Sequence, residues 1–248
     1  MSRIFGFLIL FSVLFGDVMY EVTTRFEGMP DLESGFLTIR NFIKGWCVRI
    51  EMKSESSALS NKPMVMVLHL DKGVSWILDL EKKEYVELPL DVLMKDRLPG
   101  DSKCLPQFKI EKLPEIREIL KIKCEKYLLT MTLQTDNEKI TITQIMWLGR
   151  DFLGYQEIKE FNRKLGGKII TMGLFDQDKA YYHDLQKKIA ELDGFPLELE
   201  FTVKIEGRNV IELRGSSTVN KITTVPISNR VFEIPEGYQP AEIPGIDL

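Results

Sequence analysis

The chain has 248 residues, of which 44% are hydrophobic and 28% charged, a composition typical of a folded globular protein. Its 33 Lys and Arg residues against 37 Asp and Glu residues give a net charge of −4. This balance argues against nucleic acid as a partner, because phosphate binding needs a dominant basic surface. At this length an all-β chain commonly forms one unit, and we expect a single domain over residues 17–248.

The first sixteen residues have the layout of a secretory signal peptide. Arg3 precedes an apolar run from Ile4 to Phe15, and Gly16 and Asp17 follow. A basic start, about a dozen apolar residues and a small residue are typical of such a peptide, whereas a membrane-spanning helix takes about 20 apolar residues. We therefore predict a signal peptide over residues 1–16 and a soluble periplasmic or secreted protein after cleavage. A buried first strand or an uncleaved anchor is the alternative.

Alternating apolar and polar residues predict strands through the first half of the chain. In residues 46–53 every second residue is apolar, and Lys44-Gly45 connects this strand to residues 35–44 as a hairpin. Short polar linkers separate three further strands, at 64–70, 74–80 and 84–88. Linkers this short favour an antiparallel meander, because parallel strands need a long crossover.

The strand pattern breaks between Asp91 and Pro114 and then resumes. Three prolines in this stretch predict short helical turns or a loop. Strands follow at 121–133 and 139–148, and a change of apolar parity inside the second predicts a bulge near Gln144.

Two amphipathic helices and a final pair of strands complete the chain. Helical spacing of apolar residues predicts helices at 155–165, ended by Gly166-Gly167, and at 178–192. Strands return at 197–205 and 210–225. Because strands precede and follow the helices without βαβ alternation, we predict a mainly β (α+β) fold, an antiparallel sheet of about eleven strands with a cover of two or three helices.

The sequence carries no recognisable catalytic or metal-binding motif. It has no Gly-rich phosphate loop, no GxSxG, no HExxH and no CxxC, and its only two histidines, His69 and His183, are far apart. His69 lies in an apolar strand, which favours a hydrogen-bonded structural role. We therefore predict no enzyme activity, no catalytic residues, no metal site and no cofactor.

The three cysteines are Cys47, Cys104 and Cys124. An exported protein can form a disulfide bond, and Cys104 with Cys124 is the candidate pair, because Cys104 lies in an irregular stretch and Cys124 opens a strand. Three buried or free thiols are the alternative, since spacing alone cannot show that two Cα atoms lie within about 7 Å.

Several stretches, taken in their order, resemble the periplasmic outer-membrane lipoprotein carrier superfamily of LolA- and LolB-like proteins. The segment GFLTIRNFIKGWCVRIEM, Gly35 to Met52, resembles the second and third strands of these carriers, with Arg49 as the matching arginine. Four further segments are similar to uncharacterised exported members of the superfamily: KCEKY (Lys123 to Tyr127), GFPLELEF (Gly194 to Phe201), WILDLEKKEYVEL (Trp76 to Leu88) and VFEIPEGYQP (Val231 to Pro240).

The resemblance implies a strongly curved antiparallel half-barrel whose concave face is covered by helices and encloses an apolar cavity. In the carriers this cavity accepts the acyl chains of lipoproteins. Phe42-Ile43-Lys44-Gly45 replaces the aromatic-proline step of true carriers, and no lipobox cysteine is present. The chain therefore does not resemble the membrane-tethered acceptor, and lipoprotein is only one of the ligands to consider.

These observations predict an exported carrier or sensor that binds a lipid, a lipoprotein acyl chain or another apolar ligand between sheet and helices. We expect transient contact with a membrane. The alternative is an interaction module for an envelope protein, with a filled core and no ligand. The predicted ligand-binding residues are Trp46, Val48, Ile50, Met52, Leu129, Met131, Leu199, Phe201 and Val203 from strands, and Tyr181, Leu185 and Ile189 from the helical cover.

Overall fold

The computed structural model describes residues 17–27, 35–55, 63–95, 107–134, 138–171 and 192–241. The predicted signal peptide, residues 178–191 of the second predicted helix and Cys104 lie outside these ranges. The same holds for Tyr181, Leu185 and Ile189, which were assigned to the helical cover.

The strands of the described residues form one curved, open sheet, which confirms the predicted fold class. Its twelve strands lie in the order β12-β6-β5-β4-β3-β2-β1-β11-β10-β9-β8-β7. All neighbours pair antiparallel except β12, which pairs parallel with β6. The strands are β1 (Val18–Glu27), β2 (Gly35–Lys44), β3 (Cys47–Ser54), β4 (Met64–His69), β5 (Val74–Asp79), β6 (Glu84–Pro89), β7 (Gln107–Ile119), β8 (Ile122–Gln134), β9 (Lys139–Gly149), β10 (Phe195–Glu206), β11 (Val210–Thr224) and β12 (Gln239–Pro240).

Tight turns explain why most strands pair with their neighbours in sequence. Gly45 and Gly73 adopt φ values of 59° and 70° in the β2–β3 and β4–β5 turns, a region that glycine enters without a steric penalty. In the β5–β6 turn the Asp79 carboxylate accepts hydrogen bonds from the backbone N–H groups of Glu81 and Lys82. Because these turns are so short, antiparallel pairing is the only outcome open to the β2–β3, β4–β5 and β5–β6 pairs.

Two α-helices are described, α1 (Leu90–Lys95) and α2 (Tyr155–Thr171), together with a 3-10 helix, Asn229–Phe232. The structure extends α2 beyond Gly166-Gly167, where the sequence predicted its end. A glycine inside a helix costs only about 1 kcal/mol relative to alanine, so the helix continues through both. No helix of the described residues is long and apolar enough to cross a membrane.

One apolar face of α2 packs on the sheet and forms the larger of two cores. Tyr155, Ile158 and Phe161 are buried against Val18 and Val48 and their neighbours on the same face. We call the face of the sheet on which α2 packs the inner face, and the opposite one the outer face. The smaller core lies on the outer face of β4 and β5, where residues 225–241, the C-terminal segment, cover the sheet.

Two local predictions were wrong. The irregular region does not extend to Pro114, because β7 begins at Gln107 and includes that proline. Strand β7 is an edge of the sheet, with a register shift between Lys112 and Ile116, and an edge strand tolerates a residue without an N–H. No bulge lies at Gln144, which pairs regularly on both sides.

Candidate functional site

The register of the sheet brings the predicted strand residues of the ligand site to one face. On β3, Val48 lies opposite Ile43, which lies opposite Val18 of β1. Side chains alternate along each strand and match across each pair, so the inner face can be followed through the sheet. It includes Val48, Ile50 and Met52 of β3, Leu129 and Met131 of β8, and Leu199, Phe201 and Val203 of β10.

Direct side-chain contacts confirm that β1, β11 and β10 share this face. The hydroxyl groups of Thr24 and Ser217 are hydrogen-bonded at 2.9 Å across the β1–β11 pair. The rings of Phe26 and Phe201 lie 6.1 Å apart in an edge-to-face arrangement, although β11 separates their strands. The two rings meet above β11 because Gly215, which lies between them, has no side chain.

Exposure of the inner face increases along the strands with distance from α2. Val48 is 4% exposed and Val219 is 3% exposed, at the end of the sheet that α2 covers. Further along, Met52 and Leu213 are half-buried, and Ile211 is 39% exposed. Among the described residues, α2 therefore covers one end of an apolar face that continues beyond it.

Trp46, also predicted for the ligand site, is not part of strand β3. It lies in the β2–β3 turn and is 44% exposed, and the ammonium group of Lys164 on α2 lies 4.6 Å from the centre of its ring. The prediction placed it on β3 by alternation, with Lys44-Gly45 as the turn. In the structure the turn consists of Gly45 and Trp46, one residue further along, so β3 begins at Cys47. Lys164 also donates a hydrogen bond to the Gly45 carbonyl, so Trp46 helps to hold α2 against the turn.

Arg49, the residue that matches the carrier arginine, lies on the outer face. Its guanidinium group contacts the Glu51 carboxylate at 2.8 Å and donates to the Val231 carbonyl at 3.3 Å. In this chain Arg49 therefore fastens the C-terminal segment to β3.

A second polar cluster lies beside this attachment, where β3 begins and β4 ends. Cys47 and His69 are directly opposite each other in the β3–β4 pair, with 3.2 Å between Sγ and Nδ1. The other ring nitrogen of His69, Nε2, lies 2.7 Å from the Phe232 carbonyl oxygen. A carbonyl only accepts, so Nε2 carries the proton, and in the neutral ring Nδ1 presents its lone pair to Cys47.

Asp71 completes this cluster from the β4–β5 turn. One of its carboxylate oxygens lies 3.8 Å from His69 Nδ1, and the ligand atoms of Cys47, His69 and Asp71 all lie within 4.8 Å of one another. Burial, followed by the charge of Asp71, raises the pKa of the Cys47 thiol, and Lys72 partly opposes this. The raised pKa favours the thiol over the thiolate at Cys47.

A small cavity of about 200 Å³ has a different character from the apolar face. Most of its lining is charged or hydroxylated: Arg25, Glu27, Glu200, Thr202, Arg214 and Ser216, with Phe201 and Gly215. This chemistry does not suit an acyl chain.

The chain matches one known protein family over most of its length. The family described as "Domain of unknown function (DUF4412)" matches residues 28–238, which include every described strand from β2 to β11. The chain belongs to this DUF4412 family. No curated protein matches it.

Three solved structures show remote likeness to this DUF4412 chain. A LolA superfamily protein from Nitrosomonas europaea has 10% identity and a TM-score of 0.34, with 89% of this chain and 91% of that one covered. A DUF1329 family protein from Desulfovibrio piger has 10% identity and a TM-score of 0.31, with coverage of 89% and 90%. A putative outer membrane lipoprotein-sorting protein domain from Vibrio parahaemolyticus has 6% identity and a TM-score of 0.32, with coverage of 88% and 89%.

The cysteine of the DUF4412 domain that was paired in the disulfide prediction has a free thiol in this structure. Cys124 is completely buried, donates a hydrogen bond to the Ile122 carbonyl, and has a pKa raised by burial. Cys104, the predicted partner, lies outside the described residues, so the pairing stays a prediction.

No common sequence motif identifies the cluster of Cys47, His69 and Asp71. Cys47 and His69 are 22 residues apart along the chain, and His69 and Asp71 are 2 residues apart. These spacings match no common set of metal ligands. The signal available was the β3–β4 pairing, because a hairpin register that sets Val48 opposite Leu68 also sets Cys47 opposite His69.

Proposed function

We propose that this DUF4412 protein is an exported, soluble carrier or sensor that binds a lipid or another apolar ligand against the inner face of its sheet. The observation that carries the proposal is the mainly apolar inner face, which extends across β3, β8 and β10 and is covered by α2 at one end only among the described residues. Polar side chains interrupt it at Asn41, Thr24, Ser217 and Gln144. The ligand is an acyl chain in this proposal, because the face offers area and few polar partners.

Burial of apolar surface supplies the binding free energy. Each CH₂ of an alkyl chain that leaves water contributes about 0.8 kcal/mol, and half-buried residues such as Met52, Met131 and Val203 have area left to cover. A ligand on this face breaks no backbone hydrogen bond of the sheet, because the ladder bonds lie in the plane of the strands. Binding therefore leaves the sheet intact.

Two adjacent residues of β10 give a matched test. Val203 lies on the inner face, and Thr202 lies on the outer face opposite Thr143 and Arg214. We expect Val203→Asp to weaken uptake of a fluorescent long-chain fatty acid by about tenfold or more, since a carboxylate would be buried against the chain. Thr202→Asp, on the solvated face, should change uptake by less than about twofold, as a surface charge does.

The ligand measurement is made on the purified chain, with circular dichroism used to confirm that both variants fold. Native mass spectrometry after mild solvent extraction gives an independent measure of bound lipid. If the wild-type chain carries no lipid and takes up no fatty acid, the proposal is overturned. Equal losses in the two variants would also contradict it, because binding would not depend on the inner face.

The β7 edge of the sheet does not support the alternative function, that of an interaction module for an envelope protein. This strand carries Pro114 and a register shift, and its charged residues include Lys109, Glu111 and Glu115. Edge proline, irregular pairing and charge are features that oppose addition of a further strand. Cross-linking in cells that captured one defined protein and no lipid would favour the module.

A further inference from the structure

We propose that Cys47, His69 and Asp71 form a binding site for a borderline-soft divalent cation such as Zn²⁺, which clamps the β2–β3 turn to the β4–β5 turn. The site lies on the outer face and at the end of the hairpins, so it is separate from the proposed lipid-binding face. One thiolate, one imidazole and one carboxylate are the donor types that Zn²⁺ takes in proteins.

The distances suit a tetrahedral ion. Zinc bonds of about 2.3 Å to sulfur and about 2.0 Å to nitrogen and oxygen place neighbouring ligand atoms roughly 3.3 to 3.6 Å apart. Cys47 Sγ and His69 Nδ1 are 3.2 Å apart, and His69 Nδ1 and the nearer Asp71 oxygen are 3.8 Å apart. The three ligand atoms thus need shifts of only about 1 Å or less to surround one ion.

The environment of His69 is the independent observation that points to a ligand. Its side chain is 7% exposed, its ring packs against Trp76 at 4.7 Å, and Nε2 donates to the Phe232 carbonyl. A carbonyl that receives the second ring N–H is the usual partner of a metal-bound histidine, because it fixes the tautomer and orients the free nitrogen. Nδ1 is therefore held towards Cys47 and Asp71 before any ion binds.

The charges around Nδ1 also favour a cation. The ligand atoms of His69, Cys47 and Asp71 converge, all within 4.8 Å of one another. Lys72, the nearest described cation in the turn, directs Nζ over the Trp76 ring at 5.4 Å. On binding, the Cys47 thiol releases its proton to solvent, and the divalent ion pairs with the thiolate and with the Asp71 carboxylate.

Asp71 supplies the accessible side of the site. Its side chain is 49% exposed, so solvent reaches the fourth coordination position and an ion has a path of entry. A site with three protein ligands and one position open to water exchanges its metal more readily than a closed four-cysteine site. The ion would also tie down the C-terminal segment, because His69 holds Phe232.

Cobalt(II) provides a spectroscopic probe for Zn²⁺ at this site. The purified chain, treated with a chelator, desalted and kept reduced by a non-thiol reductant, is titrated with Co²⁺ and then with Zn²⁺. We expect a thiolate-to-cobalt charge-transfer band that saturates at one equivalent and disappears as Zn²⁺ displaces Co²⁺. A wild-type chain without such a band overturns the proposal.

Matched variants assign the ligands. Cys47→Ser should abolish the charge-transfer band, and Cys124→Ala, which removes the buried thiol, should retain it. Asp71→Asn should weaken Co²⁺ binding by about tenfold or more, as loss of a charged ligand does. Glu81→Gln, in the β5–β6 turn at the other end of β5, should not weaken it. A band that persists in Cys47→Ser overturns the site, and so does equal affinity in the Asp71 and Glu81 variants.

A further measurement does not depend on the cysteine variant folding. Alkylation of the native wild-type chain, followed by peptide mass spectrometry, should label Cys47 more slowly with Zn²⁺ than without it. Unchanged labelling of Cys47 at a Zn²⁺ concentration that saturates the chain contradicts the proposal.

Discussion

Phe201 lies across Gly215, its partner on the neighbouring strand. A Cβ atom built at position 215 would be 2.3 Å from Cζ of the Phe201 ring and 2.8 Å from the Arg25 carbonyl oxygen. Both distances are well below van der Waals contact, so the ring of Phe201 occupies the space that any other residue at position 215 would need. The same gap lets Phe201 reach Phe26 across β11.

Gly215→Ala should therefore destabilise the protein by about 1–3 kcal/mol, the usual cost of overpacking. It should also displace Phe201 and weaken fatty-acid uptake on the inner face. Gly166→Ala is the matched control, because a Cβ there meets nothing within 4 Å and the residue lies inside α2. We expect this control to raise stability by about 0.5–1 kcal/mol. Urea denaturation measures both, and equal behaviour of the two variants would contradict the packing of Phe201.

Tyr20 gives the protein an alkaline limit to its stability. Burial raises the pKa of Tyr20 to about 12, so the hydroxyl stays protonated in the folded chain after it ionises in the unfolded chain at about pH 10. The stabilisation is complete below pH 10 and is lost as the pH rises towards 12. Wild type should lose on the order of 2 kcal/mol more than Tyr20→Phe over this interval.

Tyr20→Phe keeps the ring that packs edge-on to Phe195 at 5.1 Å. Comparison of its stability with that of wild type at neutral pH is therefore the control for ring packing. Chemical denaturation at a series of pH values measures the difference. Parallel stability curves for wild type and Tyr20→Phe from pH 9 to 12 would show that the Tyr20 hydroxyl is not responsible.

Asp193 links α2 to the start of β10. Its contribution to stability should be lost at acid pH, whereas that of Tyr20 is lost at alkaline pH. The Asp193 carboxylate accepts hydrogen bonds of 2.7 Å from both Lys159 and Tyr155, and these, with Lys159 first, lower its pKa. Stabilisation is therefore present above the usual carboxyl pKa of about 4 and is lost as the pH falls through the lowered value.

Asp193→Asn should cost less than about 1 kcal/mol at pH 7, because the pair is partly exposed, and the difference from wild type should vanish in acid. Glu236→Gln in the C-terminal segment is the control. An Asp193→Asn penalty that stays constant from pH 7 to pH 2 would exclude the ion pair as its cause.

Phe232 anchors the C-terminal segment to the outer face. It is 3% exposed and packs among Val65, Val67 and Trp76. Phe232→Ala should cost about 3–5 kcal/mol of local stability, and hydrogen exchange should accelerate in residues 227–241 more than in α2. Arg230→Ala, at an exposed position of the same 3-10 helix, should leave exchange unchanged. Uniform acceleration across the whole sheet in Phe232→Ala would contradict a local anchor.

Local sequence patterns were sufficient to predict the mainly β class and most of the strands. Alternation and turn residues are local signals, and they placed the β2–β3 hairpin and the meander from β4 to β6 within a residue or two. They also selected Val48, Leu129 and Phe201 as residues of one apolar face, because the period of two assigns each side chain to a side of its strand.

Which faces and elements meet depends on the complete fold. Strand β7 contains Pro114 because it lies at the edge of the sheet, and edge position depends on the whole strand order. Trp46 is not part of β3 because the turn consists of Gly45, with a φ of 59°, and Trp46 itself.

The cluster of Cys47, His69 and Asp71 shows the same division. Its first two members meet through the β3–β4 register, and the tautomer of His69 is set by Phe232, which lies 163 residues further along the chain. Local pattern determines the side of a strand on which a residue lies, because that depends on backbone geometry within a few residues. Contact between distant residues depends on the packing of the complete sheet, and for this chain that is where the two proposed sites arise.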